Sequence, residues 1–238
     1  MPAACYVCTV GAHPLSPWNA PDVVAGFAQS PPNAVLMEFA ESEWRRRAGR
    51  ARALDLGFGA GRNAVPLARM GWDVVGIDLS IPMLSAALQL AREQEVAGSV
   101  NVALARMDGL PARDDSCDLV IAHGIWNLAR SAAEFRRALA EAARVARPGA
   151  GLFVFTFSRN TFPPDTQPVA GEPFVFTQFS GQPQCFLTGV QLVAELAAVG
   201  FASDPSVAFT EYNLPQSGIL QSGTAPVIYE AAFRLESG

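Results

Sequence analysis

The sequence predicts an α/β fold: a doubly wound, mostly parallel seven-stranded sheet with helices on both faces. Two observations carry this. From Arg52 onward short apolar runs alternate with longer stretches of helical periodicity, and the first run leads straight into a glycine-rich turn. Alternation of this kind requires crossover connections, which place helices on both sides of a parallel sheet. Ligands of such sheets bind at the carboxyl ends of the strands, near the point where strand order reverses, and the glycine turn belongs there.

Taken in order, residues 1–50 carry little strand signal and are expected to form a helical cap within the same domain as 51–238. "PDVVAGFAQS" can form a short helix with Pro21 in its first turn. "SPPNAVLMEFAESEWRRRAG" (30–49) has a Pro-Asn entry and then a helical pattern, with Val35, Phe39 and Trp44 close to one face. Strands are expected at 52–57, 73–78, 100–105, 117–123 and 151–158. Helices are expected between them at 62–70, 81–97 and 130–147, the last stopped by "RPGAG". A further helix at 188–200 ends on Gly200, and two last strands lie near 206–212 and 226–235, separated by a Pro/Gly/Ser loop. Segment 159–187 breaks the rhythm. It is long, rich in proline and aromatic, and is expected to be a lid-like insertion in which "EPFVFTQF" forms an extra strand or hairpin.

Half of the residues are hydrophobic and 16% are charged, enough for a large core and unlike a disordered chain. No apolar run approaches the roughly 20 residues that cross a bilayer. The N-terminus has no basic leader region, so a cytoplasmic location is expected, with no membrane partner. Net charge is −5 and every basic residue is arginine. Arg45–Arg47, Arg50 and Arg52 form the one basic cluster, which acidic neighbours mark as a solvated face, so no nucleic-acid partner is expected. Cys5 and Cys8 have C-x-x-C spacing, but no second close pair completes a zinc site, and no metal is expected. Cys117 opens an apolar strand and reads as a small buried hydrophobe. Asp114 and Asp115 fall in a polar turn and read as solvated.

The stretch "ALDLGFGAGRN" (53–63) carries the chemistry. Its glycines are spaced Gly57-x-Gly59-x-Gly61, which departs from the G-x-G-x-x-G of dinucleotide sites. Asp55 precedes them. A carboxylate beside a pyrophosphate costs Coulomb energy, whereas beside a cation it contributes. The ligand should therefore present positive charge, and no phosphate, at that point. Pro66 fits only the opening turn of a helix, so the helix after the loop should begin at about Arg62 or Asn63.

"LDLGFGAGRNAVPLARMGWDVVGIDLS" resembles the first motif and second strand of the class I S-adenosylmethionine-dependent methyltransferases, which have a Rossmann-like fold. The resemblance covers about residues 33–158 by motif and the remainder by pattern only. It implies S-adenosyl-L-methionine as cofactor, S-adenosyl-L-homocysteine as product, and a small-molecule methyl acceptor. Carried over by position, Gly57, Gly59 and Gly61 let the backbone approach the cofactor, and Asp55 lies near its ammonium end. Asp78 accepts from the ribose hydroxyls and Leu79 packs on adenine. Asp108 accepts from the adenine amino group, and Gly109 donates a backbone N–H. The His123 region lines the methionine part, and Arg62 faces its carboxylate.

Methyl transfer from a sulfonium is an in-line displacement in which the protein mainly positions and excludes water. A phenol or amine acceptor needs a base, for which His123 is the leading candidate. A thiol, selenide or telluride needs none, and the stretch is also similar to tellurite-resistance-type methyltransferases. Trp126 and Phe27 can wall the pocket or belong to the core. A non-catalytic cofactor-binding relative and a misread nicotinamide-dependent oxidoreductase are the other classes that the motifs leave open.

Overall fold

The computed structural model describes residues 17–47, 49–214 and 225–236, so Cys5 and Cys8 lie outside the described residues. Strands β1 (Arg52–Leu56), β2 (Asp73–Asp78), β3 (Val100–Leu104), β4 (Cys117–His123) and β5 (Ala146–Phe157) run parallel in the order β3-β2-β1-β4-β5. Order therefore reverses between β1 and β4, and the loops after these two strands border the crevice where such sheets bind ligands. The 159–187 insertion contributes β6 (Val175–Phe176) and β7 (Gln184–Cys185), an antiparallel pair outside the main sheet. Then come β8 (Phe201–Ser203), β9 (Thr210–Tyr212) and β10 (Ile228–Leu235). β10 is antiparallel to β5, while β8 and β9 pair with the two ends of its other edge. Eight strands thus fill the seven positions that the sequence pattern predicts.

Among the described residues there are six α-helices, α1 (Pro21–Gln29), α2 (Ala34–Arg46), α3 (Ala64–Arg69), α4 (Ile81–Glu93), α5 (Ala132–Val145) and α6 (Gly189–Ala197), of which α1 lies on α4 and the others flank the sheet. Side-chain caps fix several starts. Ser80 accepts from Met83 N–H before α4, Ser131 from Glu134 N–H before α5, and Thr188 with Gln191 forms a reciprocal box before α6. One face of the sheet packs under Leu36 and Phe39 of α2, Leu67 of α3 and Leu84 of α4, with Trp72. The other packs under Phe135 and Leu139 of α5, Leu192 and Leu196 of α6, and Phe174 and Leu187 of the insertion.

The departures from expectation have local causes. α4 ends at Glu93, short of 97, because Glu95 takes a left-handed φ of 59° and a 3-10 turn follows. β5 begins at Ala146, so "RPGAG" is strand and not merely a stop. A register irregularity opposite Cys117 and Leu119 admits the extra residues, and Gly149 there has φ 75°. β8 has no counterpart in the sequence reading, and the strand expected from 206 starts at Thr210, because Asp204 accepts from Ser206 N–H and turns the chain.

α2 also rotates from its expected face. Leu36, Phe39, Ala40 and Glu43 are buried, whereas Trp44 packs on Trp72 at 5.7 Å. The buried Glu43 gathers Arg46 at 2.9 Å, Arg47 at 3.6 Å and Arg234 at 2.7 Å. Arg47 also reaches Asp118 at 2.6 Å. The basic cluster is therefore partly a tie between α2 and the sheet, through Arg47, while Arg45, Arg46, Arg50 and Arg52 keep the expected exposed character. Cys117 is buried as expected, and Asp114 pairs with Arg144 at 2.7 Å.

The insertion is built onto the core. Phe174, Phe176, Cys185 and Phe186 are buried, and Arg159 donates to the carbonyls of Phe162, Pro163, Pro164 and Thr166 at 2.7–3.2 Å. The Arg159 guanidinium also lies 5.0 Å from the Phe176 ring centroid. Among the described residues no helix is long and apolar enough to cross a membrane.

Gly76 in β2 is a sharp test of this packing, because a Cβ there would sit 2.0 Å from the Phe58 ring. Gly76→Ala is expected to lower stability by about 1–3 kcal/mol through overpacking, measured as a shift in denaturant midpoint. An unchanged midpoint would show that Phe58 is not wedged against β2.

Candidate functional site

The loop after β1 is shaped by its neighbours. Phe58 N–H donates to the Ile77 carbonyl at 2.9 Å, and the Phe58 ring lies against Gly76. Gly57 has φ 68°, and a Cβ there would meet Ile125 at 2.8 Å, so this glycine serves packing against the segment after β4. Gly59 has φ 55°, but its nearest neighbour in that direction is Phe27 at 3.6 Å. Gly59 is thus the point where the loop leaves room for a ligand. The helical ladder starts as Pro66 requires: Val65 N–H donates to the Gly61 carbonyl at 3.0 Å, and Asn63 is the residue before α3.

Two carboxylates sit beside this loop. Asp78, the last residue of β2, accepts from Gly59 N–H and Ser80 N–H, each at 2.8 Å. Burial raises its pKa despite these bonds. Asp55 lies in β1 between Gly76 of β2 and Ile121 of β4, in the middle of the sheet, and is 2% exposed. Burial pushes its pKa up to about 7. The Arg62 charge opposes the rise and the Asp78 charge adds to it. Arg62 is itself lowered by burial, and its guanidinium lies 6.0 Å from the Phe27 ring centroid.

At the end of β4, His123 stacks on Phe155 with ring centroids 4.2 Å apart. Its Nδ1 is 3.2 Å from an Arg62 nitrogen and its Nε2 is 3.4 Å from the Asn33 amide nitrogen. Burial, then the Arg62 charge, lowers its pKa to about 4, so the ring is neutral at pH 7. Asn33 is the junction of this region. Its Oδ1 caps α2 by accepting from Leu36 N–H at 2.8 Å, and its own N–H donates to Asn63 Oδ1 at 3.0 Å. Its amide also donates to Glu230 Oε2 at 2.7 Å.

The structure brings Asp55, Gly59, Arg62, Asp78 and His123 together, closes Gly57 against Ile125 and Gly61 against Ala87, where a Cβ would lie 3.0 Å away, and leaves Leu79 with 47% exposure. Asp108 turns toward arginines. It accepts from Arg106 at 2.8 Å and Arg137 at 3.2 Å, and these interactions lower its pKa. Gly109 is exposed, with nothing near a would-be Cβ. The two undecided aromatics separate: Trp126 is fully buried in the core, while Phe27 lies over the glycine loop. Asn33, Asn63 and Glu230 were not singled out by sequence reasoning. The helix entry at Pro-Asn was the one available signal for Asn33. Among the described residues no cluster of three or more metal-ligating side chains occurs.

With this geometry in place, comparison with known proteins is informative. Residues 54–155 match a family described as a methyltransferase domain. A demethylmenaquinone methyltransferase of Renibacterium salmoninarum is 35% identical over 141 residues, which cover 56% of this chain and 55% of that protein. The chain therefore spans about half the length of the curated relatives it matches. Among solved structures, an S-adenosylmethionine-dependent methyltransferase of Methanosarcina mazei superposes with TM-score 0.67 at 19% identity, covering 87% of this chain and 99% of that one. A 1,6-didemethyltoxoflavin N1-methyltransferase of Burkholderia thailandensis, solved with its substrate and S-adenosylhomocysteine, gives TM-score 0.60 at 18% identity, with 86% and 79% coverage. Strand order, glycine loop and family match agree: residues 54–155 match a methyltransferase domain, and the fold is shared with S-adenosylmethionine-dependent methyltransferases.

Proposed function

We propose that this chain transfers the methyl group of S-adenosylmethionine to a small organic acceptor held at the carboxyl edge of the sheet. The observation that carries the reading is Asp55, a buried carboxylate beside an open glycine loop with no ion-pair partner among the described residues. Such a group favours a cation and disfavours phosphate. The names of the relatives support a small organic acceptor, since the menaquinone-type enzyme and the toxoflavin-type enzyme both act on one.

The residues present fit the cofactor. Asp55 suits its ammonium, Gly59 gives backbone access, and Asp78 keeps lone pairs for the ribose hydroxyls after accepting two N–H groups. Leu79 offers an exposed apolar surface for adenine, whereas the Gly109 N–H already donates to the Arg106 carbonyl at 3.3 Å. Asp108 serves the adenine edge only through the lone pairs that Arg106 and Arg137 leave free. Arg62 supplies the positive charge for the methionine carboxylate. When bound, S-adenosylmethionine supplies a methyl group already activated on a sulfonium, so the chain itself must position the acceptor and exclude water.

The base role expected of His123 is not retained. A ring with pKa about 4, with an arginine at Nδ1 and an asparagine amide at Nε2, is a poor proton acceptor at neutral pH. In our reading its neutral ring, stacked on Phe155, spaces Arg62 from Asn33 and walls the crevice.

Labelled-methyl transfer from S-adenosylmethionine to a library of small quinols, phenols and amines tests the activity directly. Gly59→Val is expected to abolish transfer and S-adenosylhomocysteine binding, and the left-handed φ of this position means that it also lowers stability by about 1–3 kcal/mol. Retained binding would remove the loop from the site.

Asp55 makes cofactor affinity depend on pH. In the ligand-free protein its carboxyl has pKa about 7, and pairing with an ammonium favours the ionised form. Binding therefore releases a proton below pH 7. Affinity should rise with pH up to about tenfold per unit and level off above 7, a slope that Asp55→Asn should flatten. The same shift has the opposite sign for the free protein, whose stability should fall as pH rises from the unfolded value of 3.8 to about 7, because the carboxyl ionises in the unfolded chain while the buried one stays protonated. A flat affinity profile from calorimetry across pH 5–8 would contradict the assignment.

A further inference from the structure

Five acidic residues are buried among those described: Glu43, Asp55, Asp118, Asp204 and Glu230. Three have arginine partners. Glu43 holds Arg46 and Arg234, Asp118 holds Arg47 and Arg147, and Asp204 holds Arg234. Asp55 and Glu230 have no ion-pair partner among the described residues. Asp55 is assigned above to the cofactor's ammonium, which leaves Glu230.

Glu230 is 3% exposed, and its hydrogen-bond partners are neutral: Tyr212 O–H donates to Oε1 and the Asn33 amide to Oε2, each at 2.7 Å. Both oxygens keep lone pairs. The residue lines a cleft of about 290 Å³ between one face of α2 and the 206–212 segment. Val35, Phe39 and Val207 give this cleft apolar walls. Glu38, Thr210 and Tyr212 add oxygen acceptors, and no arginine or histidine lines it. A buried carboxylate without a counter-charge is costly, and a cleft offering only oxygens and apolar surface disfavours anions. The cleft also adjoins the cofactor crevice. Asn33 touches both Glu230 and His123, and its N–H is held by Asn63 next to the glycine loop.

We propose that this cleft receives the acceptor, and that the acceptor is a small organic cation whose ammonium group pairs with Glu230 while its apolar body lies against Val35, Phe39 and Val207. The proposal rests on the methyltransferase reading above and adds the charge class of the substrate. Glu230 acts here as a binding residue, with Tyr212 and Asn33 orienting its carboxylate.

The test uses the full chain saturated with S-adenosylhomocysteine and three probes of one shape. Tyramine carries an ammonium, tyrosol a neutral hydroxyl and 4-hydroxyphenylacetate a carboxylate. Tyramine is expected to bind at least tenfold tighter than tyrosol, with no saturable binding of the anion. Glu230→Gln should weaken tyramine at least tenfold with S-adenosylhomocysteine affinity unchanged. Because a buried substitution can unfold the chain, Glu38→Arg on the exposed face of α2 provides a second variant, which should also weaken tyramine. Equal binding of all three probes, no binding of tyramine, or unchanged tyramine affinity in both variants would overturn the inference and leave the methyltransferase reading intact. Failure of the parent to bind S-adenosylhomocysteine would instead overturn that reading.

Discussion

The buried carboxylate of Asp55 is the constraint around which the site is organised. It occupies the centre of a parallel sheet, at the point where strand order reverses, and is almost fully buried. An ionised group there is expensive unless a cation approaches. Arg62 is near enough to moderate the cost but forms no direct pair, and the pKa of about 7 reflects that incomplete compensation. The ligand that completes the charge is part of the design of the loop. The glycines serve the same end by different means: Gly57 accommodates Ile125, while Gly59 alone stays open toward the crevice.

The second organising element is Asn33, which connects the N-terminal cap to three other parts of the molecule. It caps α2, holds Asn63 before α3, borders His123 at the end of β4 and donates to Glu230 in β10. Cofactor loop and C-terminal strands are therefore joined through one side chain and one backbone N–H. At the far end of α2 the arginines of Glu43, Asp118 and Asp204 do comparable work on the opposite edge of the sheet. There every buried acid is compensated from within the chain. At the carboxyl edge two are not, which is where ligands of this architecture bind.

Most of the fold was legible because its signals are local. Alternating apolar runs marked the five parallel strands, and Pro66 marked where the helix after the loop could start. Asp55 and Asp78 could be identified from their spacing around the glycines. What escaped depends on contacts between distant segments. β8 is three residues long and is defined by its partner β10, not by its own pattern. Glu230 lies 197 positions from Asn33, and no local motif links them. The orientation of Asp108 was equally hidden, since Arg137 approaches this turn residue from α5. The surroundings of His123 were hidden for a related reason: sequence shows a histidine at a strand end but not the arginine against its ring.

The central claim is that a buried carboxylate selects a phosphate-free, positively charged nucleoside. Calorimetric titration of the purified chain with S-adenosylmethionine and, separately, with NAD measures this most directly. The account predicts saturable binding of S-adenosylmethionine and none of NAD at the same concentrations; tight NAD binding, with S-adenosylmethionine unable to displace it, would contradict it.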